Sequence, residues 1–160
     1  MKFSNSDIVQ GYNQTYEEGY TSKLKIEDQE YELEILDTGG KEDYQYKMDS
    51  WISFGEGFLL VFEIDEIESF TLLKGKHDLI LKEKNVAKCP MLLVGNKQDL
   101  EKERKVTYTE AKAQADSWGI EYMETSAETK FNCKEAFEKL AEKIVKAKSN
   151  GFGCPCCNIM

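Results

Sequence analysis

The chain has 160 residues, 41% of them hydrophobic and 32% charged, a balance that suits one soluble domain with a single core. A formal net charge of −9 argues against a nucleic-acid partner and against membrane binding by bulk electrostatics. No stretch approaches the roughly 18 consecutive apolar residues of a transmembrane helix, and Met1–Asp7 has no apolar signal core, so an intracellular chain is expected.

Period-two alternation comes first along the chain. Leu24 and Ile26, then Tyr31, Leu33 and Ile35, alternate with Lys23, Lys25, Glu32 and Glu34. This predicts an antiparallel hairpin over 20–27 and 30–37, joined at the polar turn Glu27-Asp28-Gln29-Glu30. Three near-continuous apolar strands follow, Phe58–Ile64, Met91–Val94 and Ile120–Glu124, as expected of a parallel sheet covered on both faces.

Helices are predicted between them. Phe70, Leu73, His77, Ile80 and Leu81 follow helical spacing, and the acidic run Glu63–Glu68 ahead of them reads as a solvated loop and helix start. Thr107 and Glu110 form a capping box for a helix through Trp118, which Gly119 can end. Asn132 with Glu135 is expected to cap the last helix, whose stripe is Phe137, Leu140, Ala141 and Ile144. His77, Trp51, Trp118 and Phe137 read as packing residues, and Cys89 before Pro90 as a buried small apolar one. Cys89 and Cys133 are isolated thiols. The alternation of strands and helices makes this an α/β domain over 1–148, with a flexible tail over 149–160.

Three motifs sit at strand ends. Gly95-Asn96-Lys97-Gln98-Asp99 follows Met91–Val94. A carboxylate at Asp99 can accept from two adjacent N–H donors on a base edge, a pair that guanine offers and adenine does not. Asn96 can bond the other edge, and the stem of Lys97 can cover the ring face. Mispairing would leave a carboxylate unsatisfied, so the discrimination is strong. Leu36-Asp37-Thr38-Gly39-Gly40 closes the second hairpin strand; Asp37 can hold Mg²⁺ directly or through water, and the Gly40 N–H can approach a terminal phosphate. By itself that stretch also reads as a plain turn. Glu124-Thr125-Ser126-Ala127-Glu128 offers small residues whose backbone N–H groups can reach a ligand edge.

In this order the three motifs resemble the Ras family of small GTPases, and the resemblance extends to Trp51–Phe62 and to Tyr12–Tyr20. It implies a Ras-like P-loop GTPase fold, with a mostly parallel sheet and one antiparallel edge strand, binding GTP or GDP with Mg²⁺. It assigns guanine to Asn96, Lys97 and Asp99, supported by Ser126 and Ala127. Tyr12, Thr15, Glu17, Glu18 and Tyr20 would form the effector loop, with Thr15 and Asp37 on Mg²⁺. Effector, exchange-factor and GTPase-activating proteins are the implied partners.

The end of the chain, Cys157-Asn158-Ile159-Met160, matches a prenylation signal in which a terminal Met favours farnesyl. One prenyl chain holds a membrane only reversibly; Cys154 and Cys156 are candidate palmitoylation sites, with Lys143, Lys146 and Lys148 as a sparse basic supplement. The implied location is the cytoplasmic face of the plasma membrane.

The chain also departs from the family pattern. The phosphate-loop pattern G-x-x-x-x-G-K-[ST] occurs nowhere in these residues. The alignment of motifs predicts that the chain begins inside the family's first helix, without the first strand and the phosphate loop, which weakens the grip on phosphates. Catalysis would rest on Gly40 and on Lys41, which stands where the family usually has Gln; lysine has donors but no acceptor for an attacking water. Gln14 and Glu128 replace the family's usual Pro and Lys. Three readings stay open: a cycling GTPase switch, a non-catalytic membrane-anchored interaction module, and a truncated remnant that does not fold.

Overall fold

The computed structural model describes residues 8–10, 18–26, 28–38 and 45–150. The chain divides into two compact units between Met48 and Asp49.

In the first unit, β2 (Glu18–Ile26) and β3 (Gln29–Asp37) form the expected antiparallel hairpin. Pairing runs from Glu18 opposite Asp37 to Ile26 opposite Gln29, so the turn is two residues long rather than four. Tyr31, Leu33 and Ile35 are half-buried while Glu30, Glu32 and Glu34 are exposed, as the alternation requires. The exposed face carries Lys23 and Lys25 opposite Glu32 and Glu30, with a Lys23–Glu30 ion pair at 3.0 Å.

Two expectations change here. Strand β2 begins at Glu18, two residues before the expected start at Tyr20, because Glu18 and Gly19 also have cross-strand partners on β3. Ile8–Gln10 is strand β1, antiparallel to Tyr20–Ser22, and not the remainder of a helix. Ile8 and Val9 are β-branched and prefer a pleated surface, and their pairing covers the edge of β2 that would otherwise be open.

The second unit is a three-layer α/β arrangement. Helix α1, Gln45–Phe54, begins ahead of the division and enters this unit at Asp49. Strands β4 (Phe58–Glu63), β5 (Met91–Asn96) and β6 (Glu121–Glu124) form a parallel sheet in the order β4-β5-β6. Helices α2 (Ile67–Lys84), α3 (Tyr108–Trp118) and α4 (Cys133–Ser149) connect and cover it. The described strands make an antiparallel sheet, β1-β2-β3, in the first unit and a parallel sheet, β4-β5-β6, in the second, consistent with the α/β Ras-like fold expected without its first strand.

Alternate residues of the parallel strands serve opposite layers. Leu92 and Val94 are fully buried with Ala136 of α4, and Leu59 and Met123 pack against them. Gly57 lies so close to α4 that an added Cβ would stand 2.8 Å from Ile144. On the other face Phe62 meets Phe70 of α2 at 4.8 Å, and Tyr122 of β6 meets Tyr108 of α3 at 5.2 Å. Both faces are covered, which is why these strands read as continuous apolar runs.

The ends of α3 follow the local capping chemistry, and the start of α4 does not. At α3 the Thr107 side chain accepts from the Glu110 N–H, the Glu110 carboxylate accepts from the Thr107 N–H, and Gly119 ends the helix at φ 68°. At α4 the expected Asn132 side-chain cap does not form. Asn132 is left-handed (φ 52°), and its Nδ2 instead donates to the Glu124 carbonyl at 3.1 Å. His77 is buried and stacks on Trp118 at 4.4 Å, a packing role as expected. Cys89 is only half-buried, because it lies in the loop just before β5 and not in the strand itself.

Candidate functional site

The site is built where β5 and β6 end side by side. Leu92, Leu93 and Val94 are fully buried and anchor β5, which continues through Gly95 to Asn96. A Cβ at Gly95 would sit 2.5 Å from the Tyr122 hydroxyl and 3.1 Å from both Ile64 and Phe62, so the glycine leaves the room on this face of the sheet that those three side chains occupy. Lys97 then turns the chain in a left-handed conformation (φ 67°), an arrangement that costs an L-residue about 1–2 kcal/mol. Surrounding bonds hold it: Gln98 N–H donates to Thr125 O at 3.0 Å, and Leu100 N–H to Lys97 O at 2.8 Å. A 3-10 segment, Gln98–Glu103, follows and carries Asp99.

The loop after β6 answers residue for residue. Asn96 Oδ1 accepts from Thr125 Oγ1 at 3.3 Å and from the Ala127 N–H at 3.2 Å. Its carbonyl end is thereby engaged by protein, which leaves the amide nitrogen as the donor available to a ligand. Ser126 is fully buried; its hydroxyl donates to Asp99 Oδ1 and accepts from the Thr129 N–H at 3.1 Å. The Ser126 backbone is fixed in turn by Ser126 N–H to Phe131 O at 3.0 Å and by the Cys133 thiol donating to Ser126 O at 3.2 Å. Burial pushes the Cys133 thiol upward from its ordinary range. Asp99 itself is exposed, so its carboxylate faces solvent with capacity to accept further bonds.

Two charged constellations flank these loops. The Lys97 ammonium bonds Glu63 Oε2 at 2.6 Å and Asp65 Oδ2 at 3.2 Å, and these carboxylates, Glu63 foremost, hold it above the usual lysine range. The acidic run was expected to be solvated; instead its Ile64 is fully buried and two of its carboxylates grip Lys97. Behind β6, Arg104 makes a bidentate pair with Glu124 at 2.8 and 2.9 Å and also bonds Glu101. Tyr122 donates to Glu124 Oε1 at 2.7 Å; burial, then this bond, pushes its phenol well above the usual tyrosine range.

The structure therefore brings together Asn96, Lys97, Asp99, Ser126 and Ala127, all five guanine-directed residues named from sequence. Asp37 ends β3 and is exposed. Tyr12, Thr15, Glu17, Gly40, Lys41, Cys154, Cys156 and Cys157 lie outside the described residues, as does the Glu18 side chain. Among the described residues no cluster of three or more His, Cys, Asp or Glu could hold a metal ion. The supporting roles of Glu63, Asp65 and Arg104 were missed from sequence, and Thr125 was named there only as part of the small-residue motif, without its bond to Asn96. The only available signal was their proximity to strand ends.

The geometry can be set beside known proteins. The family model described as Ras family matches residues 1–146. Mouse Ras-related protein Ral-B, Xenopus laevis Ras-related protein ralB-A and Diplobatis ommata Ras-related protein O-RAL are each 41% identical to the chain over 145 residues. Each match covers 90% of this chain and 70% of the relative. With an α/β core whose paired strand ends present Asn-Lys-x-Asp and Thr-Ser-Ala loops, the chain belongs to the Ras family and is a Ras-like GTP-binding protein.

Proposed function

We propose that this protein is a signalling switch that takes GDP and GTP, reads the guanine base through the β5 and β6 loops, and works from the cytoplasmic face of a membrane. The observation that carries the reading is the division of labour on Asn96 and Asp99. Protein donors engage Asn96 Oδ1, and the Ser126 hydroxyl orients Asp99, so one amide donor and one carboxylate acceptor remain for a purine edge. A guanine presents a complementary acceptor and two N–H donors.

The remaining roles follow from residue chemistry. Asp37 and Thr15 would hold Mg²⁺, whose charge would neutralise the phosphate oxygens. Gly40 would approach the terminal phosphate through its N–H. Tyr12, Glu17, Glu18 and Tyr20 would meet effectors, while exchange and activating proteins set the nucleotide state. Lys41 offers donors and no acceptor, so it cannot orient water as a Gln does, and intrinsic hydrolysis is slow. Cys157 would take the prenyl group and Cys154 or Cys156 a second acyl chain. No described helix is long and apolar enough to cross a membrane.

Calorimetric titration of the purified chain with GDP, guanosine and ADP tests the base reading. Both guanine ligands should bind and ADP should not; equal binding of ADP overturns it. Single-turnover hydrolysis tests the catalytic part: Lys41→Gln should speed GTP cleavage, and an unchanged rate removes Lys41 from that role.

A further inference from the structure

Lys97 belongs to the base-reading loop, but its ammonium is not left to solvent. Two carboxylates hold it from the end of β4 and the turn that leads to α2, Glu63 at 2.6 Å and Asp65 at 3.2 Å. That turn is itself rigid. Ile64 is fully buried; its N–H donates to the Asn96 carbonyl at 3.0 Å, and its own carbonyl accepts from Lys105 and Val106 at 2.8 and 3.0 Å. Ser69 Oγ accepts from the Glu63 N–H at 3.0 Å and donates to Glu66 O at 2.7 Å. The carboxylates are therefore presented from fixed backbone, and the turn is bonded directly to the strand end that carries Lys97.

Charge arithmetic makes the contact more than incidental. One ammonium meets two carboxylates, so this corner carries a net negative charge when all three are ionised. Asp65 Oδ1 is buried and has no protein partner among the described residues, so the bond from its other oxygen to Lys97 is its main compensation. Each of the three side chains is at least partly shielded from water, with Lys97 34% and Asp65 21% exposed.

We propose that Glu63 and Asp65 are positioning residues for Lys97, holding its stem ready to cover a guanine ring before the nucleotide arrives. This rests on the guanine reading above. A free lysine must give up rotamer freedom when it lies across a base; a lysine already held does not. The carboxylates thus act through Lys97 on base affinity and do not touch the ligand themselves. Their negative charge also stops Lys97 from acting as a general phosphate attractor, which directs its contribution to the base.

The test is a double-mutant cycle read with guanosine, which has no phosphate, and with GDP. Glu63→Gln/Asp65→Asn keeps the side-chain shapes and removes the clamp. Guanosine affinity should fall about three- to tenfold, the value of immobilising one long side chain. GDP affinity should fall less, because the released ammonium can then attract phosphate. In a Lys97→Met background the same two substitutions should change guanosine affinity by less than about twofold. An equal loss in both backgrounds, or no loss in the native one, overturns the proposal. A second measurement is independent of ligand: NMR relaxation of the Lys97 ε-methylene should show it ordered in the native chain and mobile in the double variant. A mobile native Lys97 also overturns the clamp. If neither guanosine nor GDP binds the native chain, the guanine reading fails, and the relaxation data decide the clamp alone.

Discussion

The Ser126 hydroxyl donates to the Asp99 carboxylate, joining the loop after β6 to the loop after β5 across 27 residues of sequence. The same oxygen accepts from Thr129, so Ser126 is held from both sides and Asp99 takes its orientation from a fully buried donor. A hydrogen bond to a charged group contributes about 1.5–3 kcal/mol. Ser126→Ala should therefore weaken guanosine binding by roughly ten- to a hundredfold. Titration calorimetry checks this, and far-ultraviolet circular dichroism should show the fold retained.

The Arg104–Glu124 pair should be a stability element. Both side chains are mostly buried at 13% exposure, the contact is bidentate, and Tyr122 adds a third bond to the same carboxylate. Removing one partner strands the other charge, which costs about 3–5 kcal/mol in a fully buried pair. Arg104→Met is expected to cost about 3 kcal/mol in chemical denaturation. Tyr122→Phe, which removes one bond to the carboxylate and leaves the pair intact, should cost about 1.5–3 kcal/mol.

Acid should weaken the β6–α4 contact through Glu121. Lys139 and Lys143 both bond its carboxylate and hold it at about 2, below its ordinary carboxylate value. A depressed folded-state value means that the contribution is complete above the unfolded value of about 4.3. It is then lost as pH falls toward 2. Glu121 is about half exposed, 47%, so the effect stays below about 1 kcal/mol. Glu121→Gln should flatten the fall in thermal midpoint between about pH 4.3 and the folded-state value. A parallel shift of the whole curve would remove Glu121 from this role.

If Cys157 is prenylated as proposed, binding of the chain to membranes should depend little on anionic lipid. Sequence suggested Lys143, Lys146 and Lys148 as a basic supplement. In the fold Lys143 pairs with Glu121, Lys146 with Glu142 and Lys148 with Glu56, and Lys134 and Lys139 are paired as well. Together with the net charge of −9, these pairs leave little positive field for the acidic headgroups. Vesicle sedimentation with and without phosphatidylserine should give affinities within about threefold of each other. An unpaired polybasic face would gain roughly 1 kcal/mol per lysine.

How much of this was legible from sequence depends on the kind of signal. Periodic patterns transferred well: the hairpin alternation at Tyr31, Leu33 and Ile35, and the Thr107–Glu110 capping box, each report a local geometry that the neighbours alone enforce. The meeting of the loops proposed to read the base was foreshadowed too, since Asn96, Lys97 and Asp99 lie within four residues at the end of a buried strand. What was not legible depends on contacts between distant segments. The acidic run at Glu63 reads as solvated until β4 and β5 are paired, at which point it lies beside Lys97. Lys84 looks like a surface lysine at a helix end, yet it is buried and donates to Ser53 O at 2.7 Å, where it satisfies a carbonyl near the end of α1. Asn132 carries a capping side chain, but its left-handed backbone turns that group to Glu124 instead.

The most direct measurement is the base preference of Asp99→Asn. A carboxylate accepts from both N–H groups of guanine, while an amide presents one donor and one acceptor, which suits the carbonyl and N–H of xanthine. Calorimetric titration with guanosine and xanthosine should therefore show the native chain favouring guanosine and the variant favouring xanthosine. An unchanged preference in the variant would mean that Asp99 does not read the purine edge, and the account of the β5 and β6 loops as the base site would be contradicted.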